Sequence, residues 1–220
     1  MFVDEVRYYV KWNELISELQ IPGVVYRKTR VGSLDLDTGL VDSVQAENVV
    51  IAVEKSGLEG LLKTGKSLAQ VNDAIGSVPF VRAFCHTEPV ELPGVTLTDL
   101  PVQRVIAFTP TVTMCIYADA DRAEYWNRLG RERAAEAERQ LQSLYKFPKF
   151  LDFVYKYWKD GIHYYKPGVV GSGDFRAWRE SWIRRVMRPK SNVWMLGEML
   201  SFSQGWVEGC VESVELAGFR

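Results

Sequence analysis

The spacing of hydrophobic positions along this chain changes several times, and each change marks an element. Trp12, Leu15, Ile16 and Leu19 recur at helical spacing, which predicts a short helix ending before Pro22. From Gly23 the pattern becomes that of strands. Val24 to Arg27, Ser33 to Leu36 and Val41 to Val44, with Asp37-Thr38-Gly39 as a turn, predict a β-meander. Val49 to Val53 is a continuous apolar run, the signature of a strand buried on both faces near the centre of a sheet. Leu58, Leu61 and Leu62 then share one helical face, and Val78 to Phe84, Val105 to Phe108 and Thr111 to Tyr117 predict further strands. Asp121 with Glu124 predicts a capping box that opens a charged, solvated helix ending before Pro148. Asp174 predicts a cap for a helix through Met187. Its buried stripe is Phe175, Trp178, Trp182 and Val186, and most of its arginines fall on other faces. Strands and helices in this order predict an α/β chain.

Composition narrows the class. At 220 residues, 47% hydrophobic and 12% aromatic, the chain can bury a sizeable core and is expected to be soluble and globular. A formal net charge of -1 argues against nucleic-acid binding through bulk charge. Cys85, Cys115 and Cys210 lie far apart with no CxxC spacing, so neither a metal site nor a disulfide framework is expected, and a reducing, cytoplasmic setting is. No run approaches the ~18 apolar residues of a membrane span, and the N-terminus lacks the build of a signal peptide.

Candidate chemistry concentrates near the C-terminus. Val193-Trp194-Met195-Leu196 runs into Gly197-Glu198, and after a short loop Gly205-Trp206-Val207-Glu208-Gly209-Cys210-Val211-Glu212-Ser213 follows, which reads as strand, glycine turn, helix. A helix beginning near Gly205 points unpaired N–H groups and the positive end of its dipole at whatever precedes it, and the glycines admit an electron-rich ligand. A rival site is Gly60-Leu61-Leu62-Lys63-Thr64-Gly65-Lys66-Ser67, which satisfies the phosphate-loop pattern, with Asp119 as an acidic magnesium partner. Against it, Glu54 to Glu59 separate the strand from Gly60, and the three leucines suit a packed helix. The arginine-rich helix after Asp174 supports a third alternative, a non-catalytic interaction scaffold that docks an acidic partner or a phosphate.

The terminal string G-E, loop, G-W-V-E-G-C-V-E-S resembles the C-terminal flavin-contacting motif of the flavin-containing amine oxidase superfamily, which includes protoporphyrinogen oxidase-like and desaturase-like members. The resemblance implies a partial FAD-binding amine oxidase-like fold with a mixed substrate-side sheet and packed helices. It places Glu198 near the flavin ribityl chain and the backbone of Trp206 and Val207 at the pyrimidine edge of the ring, with Gly197 and Gly205 also among the cofactor-binding residues. More weakly, the meander followed by A-E-N-V-V-I-A-V is similar to the segment returning to the flavin domain. Tyr155 to Gly168 is similar to an aromatic-rich segment ending in P-G that helps line the substrate cavity. A cavity walled by Trp206, with Tyr164 or Trp158 opposite, follows from it, although tryptophans so placed also serve as core.

The resemblance covers roughly residues 23 to 217 and implies three regions: 1–77 on the flavin side, 78–190 on the substrate side and 191–220 as the flavin-contacting strand and helix. The family's opening G-x-G-x-x-G unit, which holds the adenine half of the dinucleotide, has no counterpart in this sequence; Gly168 to Gly173 orders its glycines differently. The function implied is an FAD-dependent oxidoreductase, or a part of one, completed by a partner protein carrying that unit. No catalytic group is evident. The positions before the P-G pair, Asp160 to His163, include no cysteine for covalent flavin attachment, and His86 and His163 read as structural or exposed.

Overall fold

The computed structural model describes residues 18, 21–62, 66–169 and 173–218, and the predicted helix over Trp12 to Leu19 lies outside them but for residue 18. Residues 1–31 and 32–220 are separate units. In the first, Ile21 to Arg30 is exposed and has no strand, so Val24 to Arg27 does not open the meander; a turn, Val24 N–H to Ile21 O, takes its place. In the second, the meander forms from β1 (Leu34–Asp35), β2 (Leu40–Val41) and β3 (Val44–Gln45). Its first turn is held by Asp35, whose carboxylate accepts from the N–H groups of Asp37 and Thr38.

The apolar run is shorter and more exposed than its pattern predicts. β4 (Val49–Ile51) pairs in parallel with β10 (Val193–Met195) in a two-stranded sheet, and Val50 is 52% exposed. Only one face and one edge find partners among the described residues, so the expected central, doubly buried strand is corrected to an edge strand here. Parallel strands occur almost only in sheets covered on both faces, which gives the exposed Val50 its meaning below.

After β4 come α1 (Lys55–Leu62) and α2 (Lys66–Ala74). Gly60, Leu61 and Leu62 lie inside α1, with Leu62 buried, so their amides face a helical ladder rather than an open phosphate loop. The largest element is a five-stranded antiparallel sheet in the order β6 (Val95–Leu97), β7 (Arg104–Ala107), β8 (Val112–Asp119), β5 (Ile75–Thr87), β9 (Phe150–Tyr165). β9 takes up the aromatic-rich segment as one strand of 16 residues.

Between β8 and β9 the predicted single helix is two, α3 (Ala120–Arg128) and α4 (Arg133–Leu144), because Gly130 adopts a left-handed φ of 56° in a short 3-10 turn. The capping box does not form. The cap residue is Asp119, whose side chain accepts from Gln103, while Glu124 accepts from the Tyr157 hydroxyl at 2.6 Å. The helix after Asp174 forms as expected: α5 (Phe175–Val186) is capped by Asp174 through the N–H groups of Arg176 and Ala177.

Two cores result. One gathers Ile51, Leu58, Val71, Ile75, Trp182, Ile183, Met195 and Leu200 around β4 and β10. The other lies between the sheet and α3–α4, where Val81, Ala83 and Cys85 of β5 face Ala123, Trp126 and Leu141. Alternation along the strand turns Phe80, Arg82 and Phe84 to the opposite face. No helix among the described residues is long and apolar enough to cross a membrane.

The β5–β9 ladder shifts register twice, near its end between His86 and Thr87 and, more widely, at Pro79. Val78 pairs with Ile162 and Phe80 with Trp158, so Lys159, Asp160 and Gly161 lie opposite Pro79 alone. Proline has no N–H to give the ladder, and a bulge is where a strand tolerates it. Gly161 lets the two strands approach: a Cβ there would sit 2.2 Å from Phe80 Cβ. Gly161→Ala is expected to cost about 1–3 kcal/mol, the usual range for overpacking, read as a lower midpoint in chemical denaturation with an unchanged m-value.

Candidate functional site

The terminal motif folds as a self-locking turn. β10 ends at Met195, Gly197 turns the chain with φ 125°, and a 3-10 turn (Glu198–Leu200) leads through a loop to Gly205, φ 80°, and α6 (Val207–Ala217). Ser213 accepts from Gly197 N–H at 2.9 Å, and Glu212 accepts from the N–H groups of Phe202 and Ser203 at 2.8 and 3.0 Å. α6 therefore fastens the loop that precedes it. Gly209 makes this possible, since a Cβ there would lie 2.3 Å from the Ser203 carbonyl oxygen. Within the string G-W-V-E-G-C-V-E-S, the second glycine and the last glutamate and serine are explained by packing and hydrogen bonding.

Glu198 sits at the centre. One carboxylate oxygen accepts from Gly205 N–H at 2.7 Å, and the other bonds His163 Nδ1. His163, 3% exposed, accepts at Nε2 from Lys55 N–H at 3.3 Å. Those partners assign the ring proton to Nδ1, so the imidazole is a neutral bridge between the start of α1 and the terminal turn. Three residues earlier on β9, Asp160 accepts from Ser56 N–H at 2.9 Å and from the Ser77 hydroxyl. Burial pushes the Asp160 carboxyl up, but these hydrogen bonds outweigh it and hold the group below its ordinary value.

Two cavities adjoin these groups, and Glu54 and Asp160 line both. The smaller, about 370 Å³, lies beyond the carboxyl ends of β4 and β10, among Val53, His163, Leu196, Glu198, Met199 and Cys210. That is the crevice where ligands of parallel sheets sit. The larger, about 480 Å³, opens on the sheet face turned away from α3–α4 and is lined by Phe80, Arg82, Lys156 and Trp158 with Glu54, Ser56 and Asp160.

Gly197 and Glu198 thus line the smaller cavity, and Gly205 is tied to it through Glu198. Trp206, 69% exposed, and Val207 begin α6, where no side chain caps the helix. Trp158 lines the larger cavity with its ring tilted 33° to that of Phe80, the centroids 6.0 Å apart. Tyr164 lies across Gly76, whose missing Cβ would meet its ring at 2.4 Å. Neither Tyr164 nor Trp206 lines either of these two cavities. Sequence reasoning missed Asp160, Arg82 and Lys156, and read His163 as structural or exposed; the structure buries it. The signal was the pairing of β5 with β9, which sequence spacing does not reveal.

No protein-family profile matches the chain. An uncharacterized protein, R188, of Acanthamoeba polyphaga mimivirus is 22% identical over 215 residues, covering 83% of this chain and 41% of that one. Among solved structures, cyclohexylamine oxidase from Brevibacterium oxydans IH-35A is similar with a TM-score of 0.56 at 17% identity, over 77% of this chain and 41% of the oxidase. The chain spans about two fifths of the length of both proteins. The fold is α/β and amine oxidase-like.

Two outcomes follow from the hydrogen bonds. Glu198→Ala strips the acceptor from His163 Nδ1–H and Gly205 N–H, and each donor left unmet costs about 1–3 kcal/mol; thermal unfolding is expected to show the loss, with Glu198→Gln milder. Because the Asp160 carboxyl is lower in the folded chain, its contribution is fully present above the unfolded value of ~3.9 and disappears as pH falls through the folded value. Stability measured across the acid range is therefore expected to fall less steeply in Asp160→Asn than in the wild type.

Proposed function

We propose that these residues form the ring-side and substrate-side portion of an FAD-dependent, amine oxidase-like oxidoreductase. The observation that carries the reading is the cavity beyond the carboxyl ends of β4 and β10, bounded by Glu198 and close to the uncapped start of α6. At about 370 Å³ it falls within the range of small-ligand pockets and suits a flavin ring rather than a whole dinucleotide. The lining fits such a group: Val53, Leu196 and Met199 offer apolar walls, and Glu198 keeps lone pairs free for hydroxyl donors.

In this reading Gly197 and Glu198 face the ribityl end, and the backbone of Trp206 and Val207 presents N–H groups to the electron-rich ring edge. FAD, when bound, supplies the hydride acceptor. His163 keeps Glu198 oriented by holding a proton at Nδ1, and the bulge carrying Asp160 separates the ring cavity from the open sheet face. The adenine and pyrophosphate have no comparable cradle in this sequence, so a G-x-G-x-x-G unit from outside these 220 residues completes the site. The exposed Val50 and the single partner of β4 support this, because further strands would cover them. Three free cysteines and no excess of positive charge support a cytoplasmic protein that does not bind nucleic acid.

Purification from the natural source, with flavin absorbance and identification of associated chains, tests the proposal. Flavin is expected only in company with a G-x-G-x-x-G unit. A flavin-free preparation with no such unit overturns the reading; a yellow preparation of these residues alone keeps the flavin and removes the need for the partner. Tight, magnesium-dependent ATP binding lost in Lys66→Ala would instead favour the phosphate-loop alternative.

A further inference from the structure

The open face of the five-stranded sheet carries an unusual row of side chains. Arg82 on β5 pairs across the ladder with Tyr117 on β8 and with Lys156 on β9. Residues directly opposite share a face, so a guanidinium and an ammonium are neighbours there, an arrangement that destabilises a sheet. A third cation joins them, since the Arg104 guanidinium lies 4.8 Å from the Tyr117 ring centroid.

No carboxylate among the described residues forms an ion pair with Arg82, Arg104 or Lys156. Arg82 rests instead on aromatic faces, 5.1 Å from the Phe80 centroid and 4.9 Å from that of Tyr117. Its Nε is shut off from water with no hydrogen-bond acceptor. A buried donor without an acceptor is uncommon in a folded protein; because this one is closed to solvent, a ligand in the cavity can meet only the terminal nitrogens of the guanidinium.

We propose that the cavity of about 480 Å³ on this face binds a monoanionic, carboxylate-bearing ligand with a planar apolar body. Its carboxylate accepts from Arg82 and Lys156, and its body lies against Phe80 and Trp158, whose rings are 6.0 Å apart. Charge selects the class. Arg82, Lys156 and Lys159 line the cavity against Glu54 and Asp160, and Asp160 is already committed to Ser56 and Ser77. A surplus of one positive charge suits one carboxylate, whereas a phosphate carries about −1.5 to −2 at neutral pH. A cationic amine would meet Arg82 and Lys156 as like charges. As a binding site the row stands on the sheet alone; only its assignment as the substrate site rests on the flavin reading.

Calorimetry on the 220-residue chain with indole-3-acetate and tryptamine, which share a ring and differ in charge, tests the proposal without flavin. Indole-3-acetate is expected to bind and tryptamine to bind at least about tenfold more weakly, the scale of one charge-assisted hydrogen bond. Arg82→Gln and Lys156→Gln are each expected to weaken the acid by a similar factor. Lys156 is exposed, and removing it relieves the like-charge pair, so Lys156→Gln is expected to keep or raise the melting temperature while losing affinity. Equal or tighter tryptamine binding, unchanged affinity in the folded Lys156→Gln variant, or no binding of either compound overturns the proposal. Acid binding by a protein that never takes flavin keeps this site and removes only the flavin reading.

Discussion

Everything in the larger unit hangs on the antiparallel pairing of β5 with β9. Ile75 meets Tyr165 at one end of the ribbon and Thr87 meets Phe150 at the other. Ile75 belongs to the core around β4 and β10, while Val81 to Cys85 belong to the core against α3 and α4. One strand therefore serves two cores, and its wide bulge at Pro79 lies between the residues that serve each. The residues displaced opposite the proline bring Asp160 to Ser56 and Ser77, and from there His163 reaches both Lys55 and Glu198. A bulge forced by one missing N–H thus ties the helix after β4 to the terminal turn.

That turn has a double character. Glu198, Ser213, Glu212 and Gly209 satisfy or sterically permit the loop between β10 and α6, so much of the motif is explained by the loop itself. What packing leaves unexplained is the other surface: the uncapped first turn of α6, the exposed Trp206 and Val207, and the exposed Val50 on β4. These are exposed apolar groups on the parallel pair and on a helix start that no side chain caps. The contrast between a locked interior and an unfinished exterior is what makes this end of the molecule a candidate for cofactor and partner rather than a finished surface.

Local signals were legible in the sequence and long-range ones were not. The strands β5, β7 and β8, the α5 cap at Asp174 and the strand–glycine–helix order at Gly197 to Val207 all follow from spacing over a few residues. The capping box at Asp121 and Glu124 failed because Tyr157, thirty-three positions along, took the glutamate. The apolar run at Val49 was read as doubly buried because such runs usually are, and its pattern carries no record of which neighbours are present. Arg82 and Lys156 look like ordinary alternating charges until the register sets them side by side. Tyr155 to Tyr165 stands out for its aromatics, yet the bulge shifts the alternation at Asp160 and so masks its strand period.

The pairing of Val49 with Val193 also governs timing. It closes a loop that contains the whole five-stranded sheet, and the entropy of closing a loop rises with its length, if slowly. Contacts so distant in sequence form late. On a ribosome, β5 to β9 with α3 and α4 have emerged before β10 and α6 are made, so the sheet face carrying Arg82 can organise first. The crevice bounded by Glu198 cannot close until β10 and α6 follow the sheet out, so the sheet face and the crevice are separable in the order of synthesis.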